Sequence, residues 1–368
     1  MKCIDYFYIA YTPYQVMAIL NIISDIKDKD KIKNKIFLVQ NSLKIYKPIC
    51  ESLSSTSVYM FDDLYISYKS SSNLYARIQM VLNILKLKIR TNKIDIFCST
   101  VEKLFVPSDD VVCRVVFNKL RNQNRNITIS LYDDGVGTYN LHTFKGISFL
   151  GKITYRILLD NDYVECIKDI YCYQPELIEK SFLKLNYIRI NCNDIIVKLF
   201  QSVIDSRINC YDGKKVIFLD QGLSDVKEVK ESLNSISKIF SNDDVIIKLH
   251  PRIKSNIKQV FSSSNDGYPF ELLLSLIDFS NTILVSHSSG GIINSLLMRG
   301  ENKAIVVYLV KMTNKGISTP TIEFLERVQR KYGNDCLNMP NTIEELDTFL
   351  LKNKNVSGAK IIKTSILV

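Results

Sequence analysis

Short apolar runs alternate along this chain with stretches of helical spacing. Asp5–Ala10, Lys35–Gln40, Ser57–Phe61, Ile94–Cys98, Lys103–Val106 and Asn126–Tyr132 crowd β-branched and aromatic residues into a few consecutive positions and read as strands. Between them, Val16–Ile26, Asn73–Ile89 and Val111–Leu120 carry helical patterns. Leu74, Ile78, Val81, Leu82, Ile84 and Leu85 form the apolar stripe of the second of these. Thr143–Asp169 is mixed, with Phe144, Phe149, Tyr155 and Leu158 on one helical face. Asp169–Tyr173 reads as the last strand of the first half, and Leu177–Arg207 as helix and connection.

The second half repeats the alternation. Lys214–Asp220, Asp244–Leu249, Thr282–Ser286 and Ala304–Leu309 are the expected strands. Val226–Phe240 (capped by Ser224 or Asp225), Glu271–Leu276, Ile292–Arg299 and Thr342–Lys352 are the expected helices. Strands that are apolar throughout and separated by helices predict an α/β fold, with parallel sheets covered on both faces. At 368 residues the chain exceeds one compact core. Two domains are therefore expected, residues 1–200 and 201–368, joined within Leu177–Arg207.

Composition narrows the classes. The formal net charge is +10 and the pI about 9.0, which suits nucleic acid, an anionic membrane surface or anionic small substrates. The lysines are scattered and no nucleic-acid motif is present, so a solvated basic surface is expected and a nucleic-acid partner is not. Nine cysteines, an odd number without a CxxC pair, read as reduced thiols of a cytoplasmic protein. Three histidines argue against a His-built metal centre, so no metal ligands are expected. Tyr6–Ser24 is uncharged, but Thr12-Pro13-Tyr14-Gln15 breaks it into strand, loop and helix rather than a signal or membrane span.

Three stretches carry candidate chemistry. The strand through Tyr132 stops at Asp133, Asp134 and Gly135, which delivers two carboxylates to the carboxyl edge of a sheet, where open α/β folds bind ligands. A plain turn explains the same residues. His250 follows a strand directly and Pro251 ends that strand, holding an imidazole able to donate a proton near neutral pH; taken in isolation, the His-Pro pair is better explained as an ordinary loop histidine. Ser286–Gly291 joins a strand to a helix and offers hydroxyls and amides for a phosphate, or simple N-capping by Ser288 or Ser289. No GxxxxGK[ST] motif occurs, and Gly135-x-Gly137 lacks the rest of a dinucleotide fingerprint. Carboxylates from one domain and a histidine with a phosphate nest from the other fit a transferase that uses a nucleotide-activated donor.

In this order, Asp133-Asp134-Gly135, His250-Pro251 and Ser288-Ser289 resemble the acid-acid-Gly, His-Pro and paired-serine motifs of the bacterial sialyltransferases. Tyr268–Leu272 is similar to the stretch whose glutamate holds the donor ribose in those enzymes. Ile9–Gln15 is similar to the first strand and loop of glycosyltransferase family 52, the lipooligosaccharide and capsule sialyltransferases; Asp133–Tyr139 (DDGVGTY) also resembles the capsular polysialyltransferases. The similarity runs from about residue 5 to about residue 300, with His287 inside the serine motif as a departure.

The resemblance implies a GT-B fold, two Rossmann-like doubly wound parallel-sheet domains facing a cleft. It implies inverting transfer of sialic acid from CMP-sialic acid to a sugar hydroxyl of a bacterial surface glycan (capsule, exopolysaccharide or lipooligosaccharide), with no metal and no cofactor. On it Asp134 is the base, with Asp133 as fallback, and His250 the acid. Ser288 and Ser289 take the phosphate, Glu271 the ribose, and Lys248, Pro251, Gln221 and Gly222 complete the donor side. Thr12, Gln15 and Gly135 fall on the acceptor side. A hexosyltransferase of the same fold, or a non-catalytic polysaccharide-binding or assembly protein, are the competing readings. Peripheral contact with the inner face of the membrane and a homodimer are compatible with all of them.

Overall fold

The first strand, β1 (Ile4–Ala10), is almost wholly buried, and the sheet of the N-terminal unit grows outward from it. The computed structural model describes residues 4–26, 31–60, 82, 85–86, 100–139, 163–178, 184–201, 206–220, 227–249, 261–264, 266–299, 304–312 and 319–362. By its contacts the chain divides into Met1–Ile196 and Val197–Val368.

In the first unit, β2 (Ile32–Leu38), β3 (Thr56–Met60), β4 (Val101–Val106), β5 (Thr128–Tyr132), β6 (Ile167–Cys172) and β7 (Asn186–Arg189) join β1 in a parallel sheet. Its order is β3-β2-β1-β4-β5-β6-β7. The order reverses between β1 and β4, the switch point beside which such sheets bind ligands at their strand carboxyl ends. Four helices are described: α1 (Pro13–Asp25), α2 (Lys47–Glu51), α3 (Val111–Gln123) and α4 (Val136–Tyr139).

Helix α1 starts at Pro13, three residues before the periodicity suggests. Thr12 and Gln15 form a capping box with Pro13 at the first helical position, so the stretch that reads as a loop is the helix cap. The strand at Ile32–Leu38 begins inside the lysine-rich connection: Ile32 and Asn34 are buried, Asn34 Oδ1 accepts from the Tyr8 hydroxyl of β1 at 3.1 Å, and Lys35 pairs with Asp5 at 2.7 Å. Asp169–Tyr173 does not close the sheet. The edge strand β7 follows it, with three of its four residues exposed and no apolar run to announce it. Apart from Leu82, Leu85 and Lys86, the helix expected over Asn73–Ile89 lies outside the described residues. So do the strand expected over Ile94–Cys98 and Phe144, Phe149, Tyr155 and Leu158.

Helix α5 (Asp194–Gln201) spans the division between the units. In the second unit, β8 (Val216–Leu219), β9 (Val245–Lys248), β10 (Ser262–Ser264), β12 (Ile283–Ser286), β13 (Ile305–Tyr308) and β14 (Leu337–Asn338) form a parallel sheet ordered β10-β9-β8-β12-β13-β14. Two-residue strands β11 (Ile277–Asp278) and β15 (Lys360–Ile361) pair antiparallel beside it. The helices are α6 (Lys227–Ile239), α7 (Phe270–Leu273), α8 (Gly290–Arg299), α9 (Thr319–Tyr332) and α10 (Ile343–Lys352). Val229, Leu233 and Ile236 of α6 and Leu346, Phe349 and Leu350 of α10 close the core over Phe218, Val245, Ile247 and Val285. Helix α9 is unannounced by the sequence pattern because it buries only Phe324, Leu325 and Val328 among charged neighbours. Among the described residues no helix is long and apolar enough to cross a membrane.

Candidate functional site

The two acids at the end of β5 part company structurally. Asp133 is fully buried. Its Oδ1 accepts from the Tyr14 hydroxyl at 2.8 Å and the Gly135 amide at 2.8 Å. Its Oδ2 accepts from the Tyr139 hydroxyl at 2.6 Å and the Tyr173 amide at 3.2 Å. An ionised carboxylate offers about four lone-pair positions, and here all are taken. Asp133 therefore ties the start of α1, the turn after β5, α4 and the end of β6 into one knot. Gly135 makes the turn possible: its φ of 83° lies in the left-handed region, which a side chain disfavours.

Asp134 keeps part of its surface exposed. Its amide donates to Thr138 Oγ1 at 2.6 Å, and its Oδ1 accepts a short hydrogen bond from Gln15 Nε2. Among the described residues nothing donates to Oδ2. Burial pushes its pKa from 3.8 up to about 7; the Gln15 donor opposes this, and the charges of Asp133 and Asp110 add to it. Asp110, after β4, caps α3 through the Cys113 amide at 3.0 Å and accepts the Tyr11 hydroxyl at 2.8 Å. Thr12, Gln15, Asp110, Asp133, Asp134 and Gly135 thus gather at the strand carboxyl ends beside the switch point.

In the second unit, Ser286 ends β12 fully buried, donates to Leu219 O at 3.1 Å and accepts from the Ser289 amide at 3.2 Å. This hydroxyl shapes the turn that places Ser288, partly exposed, and Ser289, buried, at the N-terminus of α8. His287 beside them is buried. Glu271 sits on α7 with Oε1 accepting from Asn294 Nδ2 of α8 at 3.2 Å, and burial raises its proton affinity. Gly291 permits this approach, since a Cβ there would lie 3.1 Å from Glu271 Oε1.

Lys248, expected beside the nucleotide, is 4% exposed and ion-paired to Asp266 at 2.8 Å. Asp266 also accepts from the Tyr268 amide at 2.7 Å and from the Tyr211 and Ser264 hydroxyls. This buried pair fixes the end of β9 against the segment that leads into Glu271. His250, Pro251, Gln221 and Gly222 lie outside the described residues. Among the described residues no cluster of His, Cys, Asp and Glu could hold a metal ion.

Sequence reasoning missed the supporting groups Tyr14, Thr138, Tyr139, Asp266 and Asn294. Tyr139, six residues beyond Asp133 in the same short motif, is the one the sequence signals most directly.

Several solved structures share this architecture along nearly the whole chain. Arabidopsis thaliana UGT89C1, complexed with UDP-L-rhamnose, is 9% identical with a TM-score of 0.55, covering 96% of this chain and 90% of its own. The calicheamicin glycosyltransferase CalG4 is 9% identical, TM-score 0.54, covering 97% and 91%. A UDP-N-acetylglucosamine 2-epimerase is 9% identical, TM-score 0.52, covering 96% and 87%. At these identities the likeness is one of fold, and the fold is GT-B, shared by glycosyltransferases and epimerases. No curated protein matches the chain. The family model of the alpha-2,8-polysialyltransferases matches residues 7–304. The chain belongs to that family, and it is a sialyltransferase.

Proposed function

We propose that the protein moves sialic acid from CMP-sialic acid to a sugar hydroxyl of a bacterial surface glycan with inversion, Asp134 acting as general base and His250 as general acid. The carrying observation is the contrast between the two acids. Asp133 has every lone pair occupied, whereas among the described residues nothing donates to Asp134 Oδ2; burial raises the proton affinity of both acids, bringing the pKa of Asp134 to about 7, where a base works well at neutral pH. Asp134 takes the acceptor proton as the oxocarbenium-like centre forms, and His250 protonates or hydrogen-bonds the departing CMP phosphate. Ser288, Ser289 and the amides at the start of α8 receive that phosphate, and Glu271 the ribose, so no metal is called for.

The family's alpha-2,8-polysialyl activity supports an acceptor hydroxyl that itself belongs to a sialic acid. A net charge of +10 suits an anionic donor and an anionic acceptor alike. The free thiols Cys50, Cys113 and Cys172 are buried, in keeping with a cytoplasmic enzyme.

The test is a panel of CMP- and UDP-sugars with sialylated and neutral acceptors, in EDTA, reading released nucleotide. Release of CMP from CMP-sialic acid, lowered about 10²–10⁴-fold in Asp134→Asn, is the expected result. Turnover of UDP-sugars alone, or activity that needs added Mn²⁺ or Mg²⁺, would overturn the reading.

A further inference from the structure

We propose that Gln15 is a positioning residue for Asp134: the cap of α1 locks its side-chain amide so that Nε2 holds Oδ1 of the carboxylate and leaves Oδ2 for the acceptor hydroxyl. The inference rests on the reading of Asp134 as base.

The geometry makes Gln15 serve two masters at once. Its backbone amide donates to Thr12 Oγ1 at 3.2 Å, one half of the capping box. Its Oε1 accepts from the backbone amides of Tyr11 at 2.6 Å and Thr12 at 3.3 Å, the other half. Two N–H donors on one side force the oxygen toward the cap, so the NH₂ group must face the other way, onto Asp134 Oδ1. The side chain is 3% exposed, and a flipped amide would set its NH₂ group against the two backbone N–H donors.

Capping alone does not require an amide. Glutamate closes a capping box as well as glutamine does. At this position it would set a second carboxylate against Asp134, whose surroundings are already acidic. Asp133 from the same turn and Asp110 from the end of β4 both push its proton affinity up. The Tyr132 phenol, from β5, also lies within electrostatic reach. Gln15 is the one described group that opposes them. Of the two side chains that close a capping box, only glutamine still donates to the base once the site is ionised.

The capping and donating roles separate in the variant Gln15→Glu, which keeps the cap and loses the donor. The measurement is kcat/KM for the wild type, Gln15→Glu, Gln15→Ala and Asp134→Asn from about pH 5 to about pH 9, with thermal unfolding of each. In Gln15→Glu the cap is kept, so unfolding stays near wild type at about pH 5 and is lowered only as pH rises and the paired carboxyls ionise, while the acidic limb of the profile moves up by about one pH unit and kcat falls about tenfold at neutral pH. Gln15→Ala moves the limb the same way and also lowers the unfolding temperature. Loss of kcat with an unmoved acidic limb in Gln15→Glu overturns the proposal, because a purely structural role alters the amount of active enzyme and leaves its titration in place. So does wild-type activity in that variant. Failure of the base reading looks different: Asp134→Asn would then retain turnover and an acidic limb, whatever the Gln15 variants do.

Discussion

Replacing Asp134 by Asn should stabilise the N-terminal unit at alkaline pH while it removes turnover. The carboxyl's pKa is about 7 in the folded chain against 3.8 in an exposed one. A group whose folded pKa is raised adds stability that is fully present below the unfolded value and is lost as pH rises through the folded one. Above about pH 7 the wild type therefore holds a desolvated charge that Asn lacks, while below about pH 4 both side chains are neutral in both states. At 1.36 kcal/mol per tenfold change in proton affinity, the rise corresponds to about 4 kcal/mol. Partial exposure of Asp134 screens this to about 2 kcal/mol, or about 5 °C in Tm for a unit of this size. Asn also preserves the Gln15 contact, since its Oδ1 accepts from Nε2 as before. The assay is calorimetry at about pH 4 and about pH 8.5, with amide exchange in β5 and α1 to assign the transition to this unit. An Asn variant no more stable than wild type at the higher pH would refute the raised pKa, and with it the main support for the base.

Two further outcomes follow from the supporting groups. Asp133→Asn turns one acceptor oxygen into an NH₂ group facing donors; the hydroxyl of Tyr139 can rotate, but the Tyr173 amide cannot, so urea unfolding should show a loss of about 2–4 kcal/mol with activity per folded molecule largely kept. An unchanged midpoint with lost turnover would give Asp133 a chemical role instead. Gly291→Ala gains about 1 kcal/mol of helix propensity yet crowds Glu271, so donor KM should rise several-fold, about 3–10-fold, with Tm unchanged or higher. Unchanged donor KM would separate Glu271 from donor binding.

The parallel α/β character was legible because buried strands are apolar at every position and therefore conspicuous, as in Phe7–Ala10 and Val216–Leu219. Edge elements were not: β7 exposes most of its residues, and β14 is two residues long. The chemistry-bearing residues at strand ends stood out because Asp-Asp-Gly and Ser-Ser-Gly-Gly interrupt apolar runs. Their supports stayed hidden for a different reason. Tyr14 and Asn294 reach their carboxylates from other elements, and one sequence contains no sign of which tyrosine or asparagine among many will do so. Asp133 and Asp134 look interchangeable in the sequence; only the hydrogen-bond inventory separates the anchor from the open acid. Lys248 illustrates the converse, a lysine at a strand end whose ammonium is occupied by a buried aspartate, Asp266.

The knot around Asp133 bears on how the family can diverge. Its four donors come from the start of α1, the turn after β5, α4 and the end of β6, so the length of that side chain is fixed from several directions at once. A Glu at 133 would have to displace a tyrosine, and a lost hydroxyl at 14 or 139 would strand a buried charge. Among the described residues Asp134 answers to Gln15 and to the turn alone. Across homologues the first acid should therefore covary with hydroxyl-bearing residues at positions 14 and 139, and the second with an amide donor at position 15.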